Sequence, residues 1–85
     1  MNAVQTCWFR QSRTEYTAAA LTSELCHWLL QIGERPDLLV RCTRVVEDEV
    51  RHAAMCHELF LYAGGDPQPV ALDPQHLRHA DDPKA

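Results

Sequence analysis

Val45-Val46-Glu47-Asp48-Glu49-Val50-Arg51-His52-Ala53-Ala54-Met55-Cys56-His57-Glu58-Leu59-Phe60 decides how the rest of this 85-residue chain is read. At about 100° per residue it winds as an amphipathic helix. Leu38, Cys42, Val45, Cys56, Leu59 and Ala63 fall within one arc, and Glu49 and His52 fall in the middle of it. A carboxylate in an apolar seam is costly unless something neutralises it. A Glu and a His three residues apart project from adjacent turns and can grip one metal ion together. Glu47, Asp48 and Arg51 point elsewhere and form a solvated face, with Glu47/Arg51 and Arg44/Asp48 spaced as weak helical pairs.

Outward from this stretch, Pro36 and Asp37 open the helix, and Gly64-Gly65-Asp66-Pro67 ends it near Ala63. Upstream, a helical pattern runs from about Ser12 to Ile32, with Ala18, Thr22, Leu25, Cys26, Leu29 and Ile32 on one side. Gly33 supplies a left-handed stop. Residues 1–11 hold Trp8 and Phe9 without a clear period and read as a lead-in. Two long helices joined by so short a loop must lie antiparallel, so the expected fold is all-α, a helical hairpin over residues 12–65. The tail, 66–85, contains Pro67, Pro69, Pro74 and Pro83 and is expected to be extended. Asp73-Pro74 could start one turn carrying His76 and His79, which read as solvated tail residues rather than metal ligands.

The apolar stripes are too wide for a lone hairpin. Leu21, Leu25, Trp28, Leu29, Leu30 and Ile32 span roughly 200° of the first helix, and Leu39, Val46 and Val50 widen the second, against the ~100° that one contact covers. Each helix therefore has a second apolar surface to bury. The expected architecture is a homodimer that completes a four-helix bundle, or a larger assembly of such dimers.

Composition narrows the function classes. A chain of 85 residues with 46% hydrophobic content makes one small domain that needs help from a partner or a metal. A formal charge of −4 without a Lys/Arg cluster argues against nucleic acid and anionic membrane surfaces. No stretch approaches the roughly 20 apolar residues of a spanning helix, and the N-terminus lacks the pattern of a signal peptide, so a cytoplasmic protein is expected. Cys7, Cys26, Cys42 and Cys56 form no Cys-x-x-Cys pair and read as small reduced residues, three of them in helical apolar patterns. Cys42 and Cys56 flank Glu49 by a heptad on each side.

A third ligand must come from the first helix, where Glu15 and Glu24 are the candidates. With Ile32 and Pro36 as the hairpin ends, Glu15 lies about 26 Å back at 1.5 Å per residue, level with Glu49 and His52 at about 20 and 24 Å. Glu24 lies only about 12 Å back and falls opposite residue 44. Helix phase agrees: Glu15 sits angularly between Leu29 and Cys26, whereas Glu24 shares a side with Gln31 and Ala20. Glu24 and His27, though also spaced Glu-x-x-His, therefore read as an exposed pair. Ser12-Arg13-Thr14-Glu15 also matches a capping box, which would make Glu15 a helix start instead. His57 points toward the second apolar face, as an interface or core histidine, and Tyr16 points away from the seam.

Glu15, followed 34 residues later by Glu49-Val50-Arg51-His52 in the context Asp48-Glu49-Val50-Arg51-His52-Ala53, resembles the ferritin-like superfamily over about Arg13 to Gly65. The resemblance implies a di-iron centre in which Glu49 bridges two irons while Glu15 and His52 bind one each. Most members carry four helices and a second Glu and Glu-x-x-His in one chain; this sequence shows one such half. It looks like the two-helix subunits of encapsulated ferritins, whose iron site forms between chains. Two copies of Glu15, Glu49 and His52 supply four carboxylates and two imidazoles, the usual di-iron inventory. The resemblance thus implies Fe(II), with manganese as the alternative metal, and O2 chemistry that ends in ferroxidase iron handling or in an oxidant for an organic substrate. An encapsulating shell or a second ferritin-like chain is the further partner it suggests. The rival from another class is a metal-free helical hairpin serving as a dimerisation or adaptor module.

Overall fold

The computed structural model describes residues 1–70 and residue 72, and consists of two α-helices, α1 (Ala3–Gln31) and α2 (Pro36–Tyr62), packed as an antiparallel hairpin. The described residues contain no strand, and no helix among them is long and apolar enough to cross a membrane. Residues 66–70 have no regular structure. The turn expected at Asp73-Pro74, with His76 and His79, lies outside the described residues.

Both helices end the same way. Gly33 (φ 72°) and Gly64 (φ 90°) take the left-handed conformation that a side chain resists. After α1, the Gly33 and Glu34 amides donate to the Leu30 and Leu29 carbonyls; after α2, the Gly64 and Gly65 amides donate to Leu61 and Phe60. Each closure satisfies carbonyls that the last turn would otherwise leave open. Pro36 occupies the first turn of α2, where its missing N–H is no loss.

α1 begins at Ala3, well before the expected start near Ser12, so the lead-in is helix. Its N-cap is Asn2: the Asn2 side chain accepts from the Gln5 amide at 2.8 Å, and the Gln5 side chain accepts from the Asn2 amide at 3.0 Å. No Pro or Gly interrupts the run from there to Gln31. The Gln5 amide group also donates to the Ala63 carbonyl at 2.9 Å, tying the start of α1 to the end of α2. Ser12 is accordingly not a cap. It is fully buried in mid-helix, its hydroxyl donating to the Trp8 carbonyl at 3.1 Å.

The seam is lined by Ser12, Ala19 and Cys26 from α1 and by Cys42, Ala53 and Phe60 from α2. This corrects the expected buried stripe. Leu25 and Ile32 are exposed, as is Val45, because the helices meet over a narrow arc that small residues fill and larger apolar side chains flank. Two residues expected to be reduced, Cys26 and Cys42, form a disulfide with a Cα–Cα distance of 5.9 Å. Cys26 stands six residues before Ile32 and Cys42 six after Pro36, so the pair is level across the hairpin. Cys7 and Cys56 are free thiols, the first exposed and the second half-buried.

At the far end Phe60 is wholly buried against Phe9, with ring centroids 5.3 Å apart and tilted by 59°. A Cβ on Gly65 would overlap the Phe60 ring. Gly65→Ala must shift that ring or the backbone at residue 65. We expect a loss of about 1–3 kcal/mol, the range for overpacking a filled core, read as a lower midpoint in urea unfolding followed by circular dichroism.

Candidate metal centre

Two turns from the disulfide, Glu15 of α1 meets Glu49 and His52 of α2. One donor atom from each lies within 4.8 Å of the others. The heptad that separates Cys42 from Glu49 returns the carboxylate to the seam, and the next turn brings His52 to its rim. From the opposite helix Glu15 arrives level with them, as the hairpin lengths require. Its side chain is 18% exposed and that of His52 57%, so the cluster opens outward through the histidine. His52 Nδ1 stands 3.8 Å from a Glu15 oxygen, beyond hydrogen-bond length but close enough for electrostatic contact.

The carboxylates feel each other. Glu49 is held above its ordinary value, first by a hydrogen bond to Glu15, then by burial and by the Glu15 charge, while His52 pulls it the other way. Two like charges on facing helices are unfavourable together, and a cation between them removes the conflict. The Cys56 thiol, a turn beyond His52, is also pushed up, by burial and then by the Glu15 charge.

One contributor escaped the sequence reading. The Gln11 side-chain amide donates to a Glu15 oxygen at 3.3 Å, one turn back on the same helix. The i,i+4 spacing was visible, but only a helix that continues upstream of Ser12 puts Gln11 beside Glu15. The remaining candidates stay apart from the cluster. Glu24, expected to be exposed with His27, is half-buried with one oxygen buried and unpaired among the described residues, and His27 is exposed. His57 packs near Phe60, centroids 5.9 Å apart, with a buried Nε2 unpaired among the described residues. The exposed Glu47–Arg51 pair closes at 2.6 Å and belongs to the solvated face.

Comparison with family models, with curated proteins and with solved structures gave no match. The donor set of the site, two carboxylates and one imidazole, is hard and lacks a thiolate, which suits Fe(II) or Mn(II) better than copper or a sulfur-bound zinc. An ion held by these three groups would face outward through the exposed histidine and the open rim.

Proposed function

We propose that the chain is a half-bundle, non-haem di-iron protein of ferritin-like type, in which two copies meet over the face bearing His52 and each contributes Glu15, Glu49 and His52. The observation that carries this reading is the convergence of Glu15 with Glu49 and His52 from separate helices. Nothing in the packing of a hairpin requires three such groups to share one spot.

The surrounding surface supports the partner. Glu15 and His52 meet at one rim of the seam. By helical phase, outward from that rim lie Leu25 (48% exposed) on α1 and Val45 (45%) and Leu59 (40%) on α2. A second copy placed there would cover these residues and bring a second triad to the first, with Glu49 of each chain able to bridge. Bound iron would supply electrons to O2, and the outcome we favour is ferroxidation and iron handling. The protein's own groups do the rest: the carboxylates neutralise the metal charge, His52 supplies a neutral nitrogen donor, and the apolar rim excludes water. We place the protein in the cytoplasm, with an encapsulating shell or a second ferritin-like chain as a further partner.

Anaerobic Fe(II) titration followed by exposure to air tests the assignment. One iron per chain, a near-ultraviolet ferric-oxo band and loss of both in Glu49→Ala are expected. The broad apolar exposure also favours a metal-free dimerisation module, and an even oligomer without iron uptake would establish that reading instead.

A further inference from the structure

We infer that the Cys26–Cys42 cystine is a redox control on the metal site, holding Glu15 against Glu49 and His52 when closed and releasing them when reduced; this rests on the metal reading above.

The placement carries it. Both sulfurs lie in the seam that holds the cluster, and Cys42 is seven residues before Glu49, two helical turns or about 10 Å away. The pair's Cα–Cα distance of 5.9 Å draws the helices closely together. Between the cystine and the cluster the buried seam residue is Ala19, and Ala53 follows just past His52; both side chains are small, so they permit close approach but hold it weakly. On the far side of the cluster the hold is Phe9 against Phe60. The triad thus sits between two clasps, one covalent and one packed. The cystine limits how far the helices can part at the level of the triad between them.

Reduction removes one clasp. A dithiol reductant breaks the Cys26–Cys42 bond by exchange: two electrons and two protons pass to the pair, leaving two thiols, and the reductant becomes a disulfide. Cys26 and Cys42 are only 7% and 8% exposed, so exchange requires the hairpin to part. Metal bound across the helices resists that parting. Linkage then demands reciprocity: whatever factor reduction costs in metal affinity, metal gives back as resistance to reduction.

The test uses the full chain, oxidised or reduced with a dithiol that is then removed under argon. Mn(II) affinity is read by calorimetry, and the cystine by alkylation and mass. Reduction is expected to weaken Mn(II) binding by about 10- to 100-fold, the range seen when groups that orient metal ligands are lost. Saturating Mn(II) should shift the dithiol concentration for half-reduction upward by a matching factor. Cys26→Ser/Cys42→Ser should bind weakly and ignore the reductant. Equal affinity in both states overturns the switch while leaving the metal reading intact. No binding by the oxidised chain overturns both. Loss of most of the helical circular dichroism on reduction also overturns it, since the cystine would then be a condition of folding.

Discussion

If two copies pair as proposed, Leu59→Glu is expected to leave the chain monomeric at concentrations where the wild type pairs, with association weakened by at least about 100-fold, or about 2.8 kcal/mol at 1.4 kcal/mol per decade. Leu59 is one heptad beyond His52 on the same flank of α2 and is 40% exposed in the single chain. Twofold pairing over that flank buries the new carboxylate twice, and each buried charge costs several kcal/mol without a partner. The useful comparison is Val50→Glu. Val50 is as exposed, at 47%, but at about 100° per residue it lies on the other flank of the helix, away from His52. Sedimentation equilibrium should find Val50→Glu still dimeric. Apolar exposure alone does not choose between the two flanks; the proposed pairing of triads does. If Val50→Glu dissociates the pair and Leu59→Glu does not, the second copy sits on the wrong face to complete the metal site. Iron stoichiometry should follow mass, falling with Leu59→Glu although its own triad is intact.

Much of this geometry was open to a ruler and a helical wheel. Glu15 was matched to Glu49 and His52 by counting from the turn, and the three converge in the fold. The same ruler puts Cys26 opposite Cys42, yet their helical apolar surroundings suggest reduced core thiols; level, inward positions on facing helices are the better signal. The N-terminal turns were hidden for a different reason. Ser12 and Glu15 imitate a capping box three residues apart, and the true box, Asn2 with Gln5, lies before a stretch whose aromatic residues show no period. Phe9 gains its place from contact with Phe60 across the hairpin, which local pattern does not encode. The buried line was also displaced from the most hydrophobic one. Hydrophobicity nominated Leu25 and Ile32, but close approach of two helices selects small residues such as Ala19 and Cys26 and turns the large ones outward.

Glu49→Gln should move stability and metal binding in opposite directions. The substitution keeps the shape of the side chain but removes one of two facing carboxylates. In the metal-free chain the folded state holds the Glu49 carboxyl above its ordinary value, chiefly through its hydrogen bond with Glu15. A carboxyl raised on folding favours the native state in its protonated form. That contribution is fully present below the ordinary carboxylate range and disappears as pH rises through the raised native value. The wild-type melting temperature without metal should therefore fall across that window. Glu49→Gln should show a smaller fall and melt higher at neutral pH, because the amide can hydrogen-bond Glu15 without a second charge. With Fe(II) or Mn(II) the order should reverse. Metal held at the proposed site would compete with the proton for Glu49, so loading would release a proton and stabilise the wild type increasingly as pH rises. Losing a carboxylate that would bind the metal directly should cost more than the 10- to 100-fold loss typical of groups behind the ligands, so we expect a decrease of at least about 100-fold in affinity. Calorimetric melting with and without Mn(II), across mildly acidic to neutral pH, reads both effects. A variant that is less stable without metal, yet still binds it, would make Glu49 a structural residue and return the cluster to coincidence.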